Sequence, residues 1–444
     1  MKIFFLSLGC DKNLCDSEHM LYRLAREGYE FTDDEADADI IIINTCSFIG
    51  DAKEESINEI LRLSAYKTEG KLKALIAAGC LTERFQEEIL EELPELDGVL
   101  GTASWDRITD VVREALEKGK AECFLDVSRL PETEGRYLTT LSGSGYLKIA
   151  EGCDKNCIYC IIPRNRGHYR SVPMEELVSE AEDLVSQGVR ELILVAQETT
   201  LYGTDLYGRK ALPELIGKLS AIEDLKWIRL LYCYPEEITD EMLDVIAEDP
   251  KVVHYLDIPV QHSSDLILKR MNRRTDREGL VRTIEKIRSR IPDIALRTTL
   301  ITGFPGETEE DIEDLEDFVS EIRFERLGVF AYSPEEGTPA ERFDAQVDDC
   351  VKEERRDRIM ALQQDIAFSF AESMAGKEVS CMIEGELPDE ESDGYVYAAR
   401  TYMDAPDVDG MIFIRSREPL YTGDIVKAKV ISSSGYDLIG VYKS

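Results

Sequence analysis

Short apolar segments alternate with amphipathic helical segments along most of this chain, and this alternation constrains the fold more than any other feature. Near the N-terminus the apolar segments KIFFLSLG, DIIIINT and KALIAAG are each followed by a helical pattern. This order predicts a parallel α/β sheet. The first segment also resembles an export signal ending at Cys10, but Ser7 interrupts its apolar run, whereas a secretory apolar region runs about 7–15 residues. A strand is favoured.

Three cysteines stand at the same position relative to these strands. Cys10, Cys46 and Cys80 each follow directly on an apolar segment, with separations of 36 and 34 residues, and each separation suits one β–α–β unit. Right-handed crossovers make the strands parallel, so the three thiols should meet at the carboxyl edge of the sheet. Cysteines that only pack would sit inside the apolar runs, and the pattern therefore favours ligation over packing.

The rest of the chain predicts two further domains. Six more apolar segments precede or alternate with helical patterns and predict an open barrel of six β/α repeats rather than eight, closed by a charged helix from Val347 to Ala375. Short strands with Gly and Asp turns then predict a small all-β barrel of OB-like size. The predicted divisions are an N-terminal domain 1–125, a linker 126–144 containing TLSGSG, a second α/β domain 145–375 and a C-terminal barrel 376–444.

Composition narrows the location and the partners. No apolar run approaches the ~20 residues of a membrane helix, so we expect a cytoplasmic protein without membrane contact. Eleven cysteines, an odd number, in a reducing compartment favour metal or redox chemistry over disulfides. The 52 basic and 90 acidic residues give a net charge of −38, which repels phosphate backbones and favours a basic partner, although solubility alone would also explain it.

A second group of cysteines forms a compact motif. In EGCDKNCIYC, Cys153, Cys157 and Cys160 have the spacing Cys-x3-Cys-x2-Cys, at the end of the second domain's first strand. A structural zinc site usually takes four protein ligands. Three thiolates suit three irons of a 4Fe–4S cluster whose fourth iron is open, whereas an electron-transfer cluster normally has four cysteines. The alternative is a zinc knuckle with the distant His168 as fourth ligand.

This motif, with Tyr159 as its aromatic residue, is similar to that of the radical S-adenosylmethionine enzymes. The whole chain resembles one branch, the methylthiotransferases, which end in a TRAM barrel; the resemblance rests on SLGCDKNLCDSE, NTCSFI, AAGCL, YLKIAEGCDKNCIYCIIPRNRGHYRS, LVAQETTLYG, DIPVQHSSDLILKRMNR and TTLITGFPGET. It implies that the open iron chelates the methionine part of S-adenosylmethionine, whose cleavage yields a 5′-deoxyadenosyl radical. It also implies that Cys10, Cys46 and Cys80 hold a second 4Fe–4S cluster carrying the sulfur for insertion.

Two substrate classes are known in this branch, a modified adenosine of tRNA and an aspartate of a small-subunit ribosomal protein. The opening SLGC-x-KN-x-x-DSE and the stretch RTYMDAPDVDGMIF resemble the ribosomal-protein enzymes. Residues 377–444 contain 13 acidic and 7 basic residues, which suits a basic ribosomal protein and makes tRNA unlikely. Asp11 and Cys15 depart from that group's usual Pro and aliphatic residues, and we interpret Cys15 as packing inside the first helix.

The reaction implied by the resemblance replaces a C–H bond at the β-carbon of the aspartate with C–S–CH3. Radical hydrogen abstraction needs no general base, so we predict no catalytic side chain beyond the six cysteines. The resemblance also implies an electron donor such as a flavodoxin or ferredoxin. A ribosome-bound iron–sulfur sensor without enzymatic activity is the remaining alternative, and it would need no open iron.

The other candidate site residues lie at predicted strand ends. Gln197 and Glu198 end the second barrel strand and Arg297 lies in the fifth; with Tyr159 they are candidates for contacts to S-adenosylmethionine, because barrel sites form at the carboxyl mouth. Roles in solvated loops fit them equally well.

The GFPG loop at 303–306 suits either a close ligand or a turn. Four cysteines without partner spacing are interpreted as structural: Cys123, Cys233, Cys350 and Cys381. The four histidines have no triad or metal spacing.

Overall fold

The computed structural model describes residues 1–86, 88–140, 143–388 and 394–443. Parts of the predicted linker (141–142) and of the predicted C-terminal barrel (389–393 and 444) lie outside the described residues. In the described parts, no helix combines the length and the apolar character needed to cross a membrane.

The N-terminal unit is a six-stranded parallel sheet in the order β2-β1-β3-β4-β5-β6. Its central strands β3 and β4 are buried at every position, as expected for a parallel sheet with helices on both faces. The strands are β1 (Lys2–Ser7), β2 (Glu30–Phe31), β3 (Ile40–Thr45), β4 (Ala74–Gly79), β5 (Gly98–Leu100) and β6 (Ala121–Cys123). The helices are α1 (Asp11–Arg26), α2 (Gly50–Ser64), α3 (Tyr66–Glu69), α4 (Cys80–Arg84), α5 (Ile89–Glu92) and α6 (Ile108–Lys118).

The second unit is another parallel sheet, in the order β14-β13-β12-β11-β10-β7, with β7 and β14 as its two edge strands. The predicted six strands and their open arrangement are confirmed. The strands of this unit are β7 (Ser144–Lys148), β8 (Ala150–Glu151), β9 (Arg170–Ser171), β10 (Glu191–Val195), β11 (Trp227–Leu230), β12 (Val252–Asp257), β13 (Ala295–Thr302) and β14 (Arg326–Ala331), of which β8 and β9 form a separate pair.

Eight helices accompany this second sheet. Those that follow its strands cover one face in a large apolar core, and the predicted closing helix is α14, which donates from Gln363 Nε2 to the carbonyl of Phe324 at 2.9 Å. The helices are α7 (Ile162–Arg166), α8 (Met174–Ser186), α9 (Leu212–Ser220), α10 (Asp240–Glu248), α11 (Asp265–Arg270), α12 (Arg277–Arg290), α13 (Glu309–Ile322) and α14 (Asp349–Ser373).

The C-terminal unit is a closed five-stranded barrel in the order β15-β16-β17-β19-β18, and the prediction of a small all-β barrel is confirmed. Its strands are β15 (Glu378–Leu387), β16 (Tyr395–Thr401), β17 (Ile412–Ser416), β18 (Ile425–Ser434) and β19 (Asp437–Tyr442). β17 and β19 pair in parallel, and the other neighbours are antiparallel.

The inner face of the second sheet does not enclose its own core. Its residues form one apolar cluster with the core of the C-terminal barrel and with Cys15 of α1. Cys15 is fully buried, with its Sγ 3.6 Å from the carbonyl oxygen of Tyr146, so its environment matches the interpretation as packing. The other two units therefore cover the inner face of the second sheet.

A buried ion cluster fixes the C-terminal barrel to the second sheet. Arg400 of β16 donates to Glu191 of β10 and, at 2.9 Å, to Ser144 Oγ, while Arg229 donates to Glu191 at 2.8 Å. The side chains of Arg400, Glu191 and Arg229 are all at most 2% exposed. The two arginines hold the pKa of Glu191 down to about 2 despite its burial, so this carboxylate stays charged inside the interface.

Candidate functional site

The first cysteine triad lies at the carboxyl edge of the N-terminal sheet. Cys10 follows β1, Cys46 follows β3 and Cys80 begins α4 directly after β4, and these three strands are neighbours in the sheet. Gly9 has φ +90°, and a Cβ there would lie 2.9 Å from Cys46 Sγ. Only glycine allows so close an approach, and the Cys10 loop therefore lies directly against Cys46.

Two asparagines hold the loops of this triad together. Asn13 donates from Nδ2 to the carbonyl oxygens of Leu8 and Thr45, at 2.9 Å each, and thereby joins the loops after β1 and β3. Asn44 donates from Nδ2 to the carbonyl oxygen of Asn13, also at 2.9 Å. Sequence reasoning missed both residues, although each lies within a stretch that carries the resemblance, DKN and INTC.

The second triad lies in the single segment between β8 and α7. Cys153 and Cys157 are buried, and the Tyr234 hydroxyl is 3.6 Å from Cys157 Sγ. Gly152 has φ +78°, and a Cβ there would lie 2.2 Å from the carbonyl oxygen of His168. The glycine thus lets the start of the cysteine loop pass against the backbone near β9.

Burial changes the acidity of the thiols in both triads. Burial raises the pKa of the Cys46 and Cys153 thiols to about 12, so metal binding would have to displace their protons. Within the described ranges, no three His, Cys, Asp or Glu side chains are arranged to hold a single metal ion.

His168 does not fit the zinc-knuckle alternative. Its side chain is 84% exposed, and its Nδ1 lies 2.8 Å from Asp154 Oδ1. The cysteines of the second triad, in contrast, are buried or half-buried. The imidazole therefore belongs to a surface pair and not to the thiol site.

Gln197 and Glu198 present unused acceptors next to the second triad. Glu198 is fully buried; its Oε1 accepts from the Thr200 amide at 3.0 Å, and its Oε2 has no hydrogen-bond partner among the described residues. Burial raises the pKa of Glu198 to about 7, with Lys155 Nζ 3.9 Å away. Gln197 donates to Glu151 at 2.8 Å, while its Oε1 is also buried without a partner in the described structure. Buried unpaired acceptors are costly and fit a cofactor that carries an ammonium group and hydroxyls.

Tyr159 supports the cysteine loop from below. Its ring packs edge-on against Phe304 of the GFPG loop, with the centroids 6.3 Å apart, and the Ile158 amide donates to the carbonyl of Met271 at 3.2 Å. The GFPG loop is thus part of the small apolar core beneath the second triad.

Arg166 connects the first triad to α7, the helix that follows the loop of the second triad. This fully buried residue of α7 approaches Cys80 Sγ of the first triad at 3.4 Å with its Nη2. Its Nη1 donates to Asp16 at 2.8 Å and to Glu151 at 3.0 Å, and Lys148 pairs with the same two carboxylates. Sequence reasoning missed this network. The sequence signal that could have found it is the run of polar residues in α1. The structure buries six of them: Lys12, Asn13, Asp16, Ser17, Glu18 and His19.

A cavity of about 320 Å³ lies beside Cys10 at the junction of all three units. Tyr232 and Arg297 of the second unit and Asp407 of the C-terminal barrel also line it. The structure therefore places Arg297 with the first triad, apart from Gln197 and Glu198, with which the sequence grouped it. The physical reason is strand order, because β12 and β11 separate β13, which carries Arg297, from β10, after which Gln197 and Glu198 follow.

The chain matches models of three families. The Radical SAM superfamily matches residues 147–319, the family described as Uncharacterized protein family UPF0004 matches residues 2–101, and the TRAM domain matches residues 375–442. Each match falls within one of the three structural units.

Full-length relatives share this organisation. The chain is 57% identical to a protein of Lachnoclostridium phytofermentans named Ribosomal protein uS12 methylthiotransferase RimO, over 99% of both chains. It is 49% identical to the protein of the same name from Acetivibrio thermocellus, over 99% of this chain and 98% of that one.

Among solved structures, the radical S-adenosylmethionine methyltransferase TsrM of Kitasatospora setae, with cobalamin and a [4Fe-4S] cluster bound, is similar in fold. The match has a TM-score of 0.53 and 14% identity, and covers 89% of this chain and 81% of that one. At this identity the likeness concerns the fold alone.

Proposed function

The chain belongs to the ribosomal protein uS12 methylthiotransferases of the radical S-adenosylmethionine superfamily, and from this premise we propose that it methylthiolates the β-carbon of an aspartate in uS12. The enzyme class, the use of S-adenosylmethionine and the use of 4Fe–4S clusters follow from this membership. The observation that carries the proposal is the contact between the first triad and the helix that follows the second triad's loop, where Arg166 Nη2 lies 3.4 Å from Cys80 Sγ.

In this proposal the six cysteines are the cluster ligands. Cys153, Cys157 and Cys160 hold the cluster that binds S-adenosylmethionine, and Cys10, Cys46 and Cys80 hold the other. When bound, these groups supply the electron that cleaves S-adenosylmethionine to a 5′-deoxyadenosyl radical and the sulfur that is methylated and inserted.

The protein's own residues bind, orient and exclude water. Glu198 and Gln197 each have an oxygen that accepts no hydrogen bond in the described structure, and these oxygens are available to the ammonium and hydroxyl groups of the cofactor. Tyr159 supports the cysteine loop through its contact with Phe304. Burial raises the pKa of the Cys80 thiol, and Arg166, as a hydrogen-bond donor to this sulfur, opposes that shift by favouring the thiolate. The position of Arg297 favours a contact with the acceptor substrate over one with the cofactor.

We further propose that the enzyme works in the cytoplasm, where its ribosomal substrate is assembled, and that a flavodoxin or ferredoxin is the electron donor. The net charge of −38 favours the basic ribosomal protein as the acceptor and makes tRNA unlikely, since a phosphate backbone would be repelled. The sensor alternative is disfavoured because the full-length relatives are named as transferases.

The test is to identify the product. Anaerobically reconstituted enzyme is incubated with S-adenosylmethionine, a reductant and either uS12 or unmodified tRNA, and both acceptors are analysed by mass spectrometry. We expect a gain of about 46 Da on one aspartate of uS12, from the exchange of H for SCH3, and 5′-deoxyadenosine as co-product. Methylthiolated adenosine with unmodified uS12 would contradict the substrate assignment.

A further inference from the structure

One wall of the cavity beside Cys10 is formed by the stretch that resembles the ribosomal-protein enzymes. RTYMDAPDVDGMIF runs from Arg400 to Phe413, and its residues Pro406, Asp407 and Val408 line the cavity together with Cys10. The segment of the C-terminal barrel that carries this resemblance therefore forms one wall of the space next to the first triad. A volume of about 320 Å³ is at the lower end of the range for small-ligand pockets and suits one side chain with its flanking backbone.

Arg297 is the one cation among the described residues that line this cavity, where the carboxylates of Asp11, Asp257 and Asp407 lie. Lys12 is nearby, but its Nζ is engaged by Asp11 at 3.0 Å and by the ring of Tyr232. Of these carboxylates, Asp11 pairs with Lys12 and Asp257 pairs with Arg297, which reduces the repulsion that an entering carboxylate would meet. A protein segment with basic flanking residues would find partners in them.

Arg297 is held in place but retains donor capacity. Its Nη1 donates to Asp257 at 3.1 Å, and its Nε lies 3.6 Å from Asp409 Oδ1, beyond hydrogen-bond distance. Its Nη2 has no hydrogen bond among the described residues, and the side chain is 22% exposed.

Asp409, which faces Arg297, is itself fixed. Its Oδ2 accepts from the Tyr255 hydroxyl at 2.7 Å and from the Ala405 amide at 2.9 Å. Asp409 belongs to the same RTYMDAPDVDGMIF stretch. The C-terminal barrel thus contributes to the orientation of Arg297 as well as to the wall of the cavity.

We propose that this cavity receives the aspartyl side chain of the protein substrate and that Arg297 donates a charge-assisted hydrogen bond to its carboxylate. This inference rests on the proposed function. The β-carbon of an aspartate is bonded to the carboxylate carbon, so a carboxylate bound at Arg297 keeps the reacting C–H in the same cavity as Cys10. Arg297 would then select an aspartate over its neutral isostere.

The inference is tested by binding and not by turnover. Anaerobic holoenzyme is titrated calorimetrically, without S-adenosylmethionine, with uS12 and with uS12 in which the modified aspartate is replaced by asparagine. Wild-type enzyme should bind the aspartate form tighter by roughly tenfold or more, because a hydrogen bond to a charged group is lost in the other form. In Arg297→Gln the two forms should bind about equally, and Arg297→Lys should retain part of the difference.

Arg326→Gln is the matched control. Arg326 is the register partner of Arg297 on β14, pairs with Asp404 and does not line the cavity, so this variant should keep the preference for aspartate. The inference would be overturned if wild type bound both forms equally, or if Arg297→Gln retained the wild-type preference. If instead wild type failed to methylthiolate uS12 under turnover conditions, the proposed function itself would fail, whatever the binding ratio.

Discussion

The two cysteine triads are built in opposite ways. The first takes one cysteine from the end of each of three neighbouring strands, so its geometry depends on the register of β1, β3 and β4. The second takes all three from residues 153–160, a single loop supported by the small core under Tyr159. The first triad should therefore respond to any change in how the units pack, whereas the second should be a local structure that tolerates such changes.

The largest expected effect separates the two triads completely. Replacing Cys153, Cys157 and Cys160 by alanine should lower the iron content from about eight to about four per chain and abolish 5′-deoxyadenosine formation. Replacing Cys10, Cys46 and Cys80 should remove a similar amount of iron while cofactor cleavage continues. Iron analysis and chromatography of the nucleosides measure both. Unchanged iron in the second variant would contradict the proposed first site.

Arg166→Met tests whether the first triad depends on its contact with the second unit. The substitution leaves Asp16 and Glu151 buried with less positive charge, and breaking a buried ion pair in this way costs about 3–5 kcal/mol. We expect the free energy of unfolding of the apo protein to fall by that amount in urea titrations. In the holo protein, a chelator should remove the first cluster faster than the second.

The matched control is Arg62→Met, which removes an arginine that also contacts two carboxylates, Glu35 and Glu59, but on the surface, where its side chain is 47% exposed. Its cost should be at most about 1 kcal/mol. Equal losses of stability in the two variants would argue against a special role of Arg166 at the first triad.

Glu198→Gln probes the second site through pH. The raised pKa of Glu198, about 7 against the usual 4.5, means that the folded apo protein favours the neutral carboxyl. The stability that the folded protein gains from binding this proton is complete below pH 4.5 and is lost as the pH rises through 7. The variant should therefore be more stable than wild type by about 3 kcal/mol at pH 8 and equal to it near pH 4. A difference independent of pH in urea titrations would contradict this assignment.

The smallest effect is expected for His168→Ala. The exposed imidazole contacts only a surface carboxylate, so the iron content and the absorbance spectrum of the second cluster should not change. Cys160→Ala is the control that should change both. A loss of metal in the histidine variant would revive the zinc-knuckle alternative.

Periodicity predicted the strands that position the cysteines, because β3 begins with four isoleucines before Asn44, Thr45 and Cys46, and β4 is apolar up to Gly79 and Cys80. It missed β2, β5 and β6, which have only two or three residues and are too short to show a pattern. Cys350 is exposed. Its interpretation as a structural residue is not tested by this exposure and stays a prediction.

The contact between Arg166 and the first triad was beyond sequence reasoning. Arg166 and Cys80 are 86 positions apart, and their approach depends on how two separate sheets pack, which no local pattern encodes. The same holds for Arg297. Its strand was predicted correctly, but the site that a residue faces also depends on the order of the strands, and β12 and β11 lie between β13 and β10.

The buried cluster of Arg229, Glu191 and Arg400 also affects the rate at which the enzyme binds its substrate. Swinging the C-terminal barrel away would separate Arg400 from Glu191 and expose the apolar cluster that the barrel shares with the second sheet, so the swung-out form would be a rare species. The barrel therefore acts as a fixed wall and not as a hinged lid. A ribosomal protein meets a preformed entrance, and its capture rate depends on diffusion and on attraction by the acidic surface rather than on waiting for a domain to open.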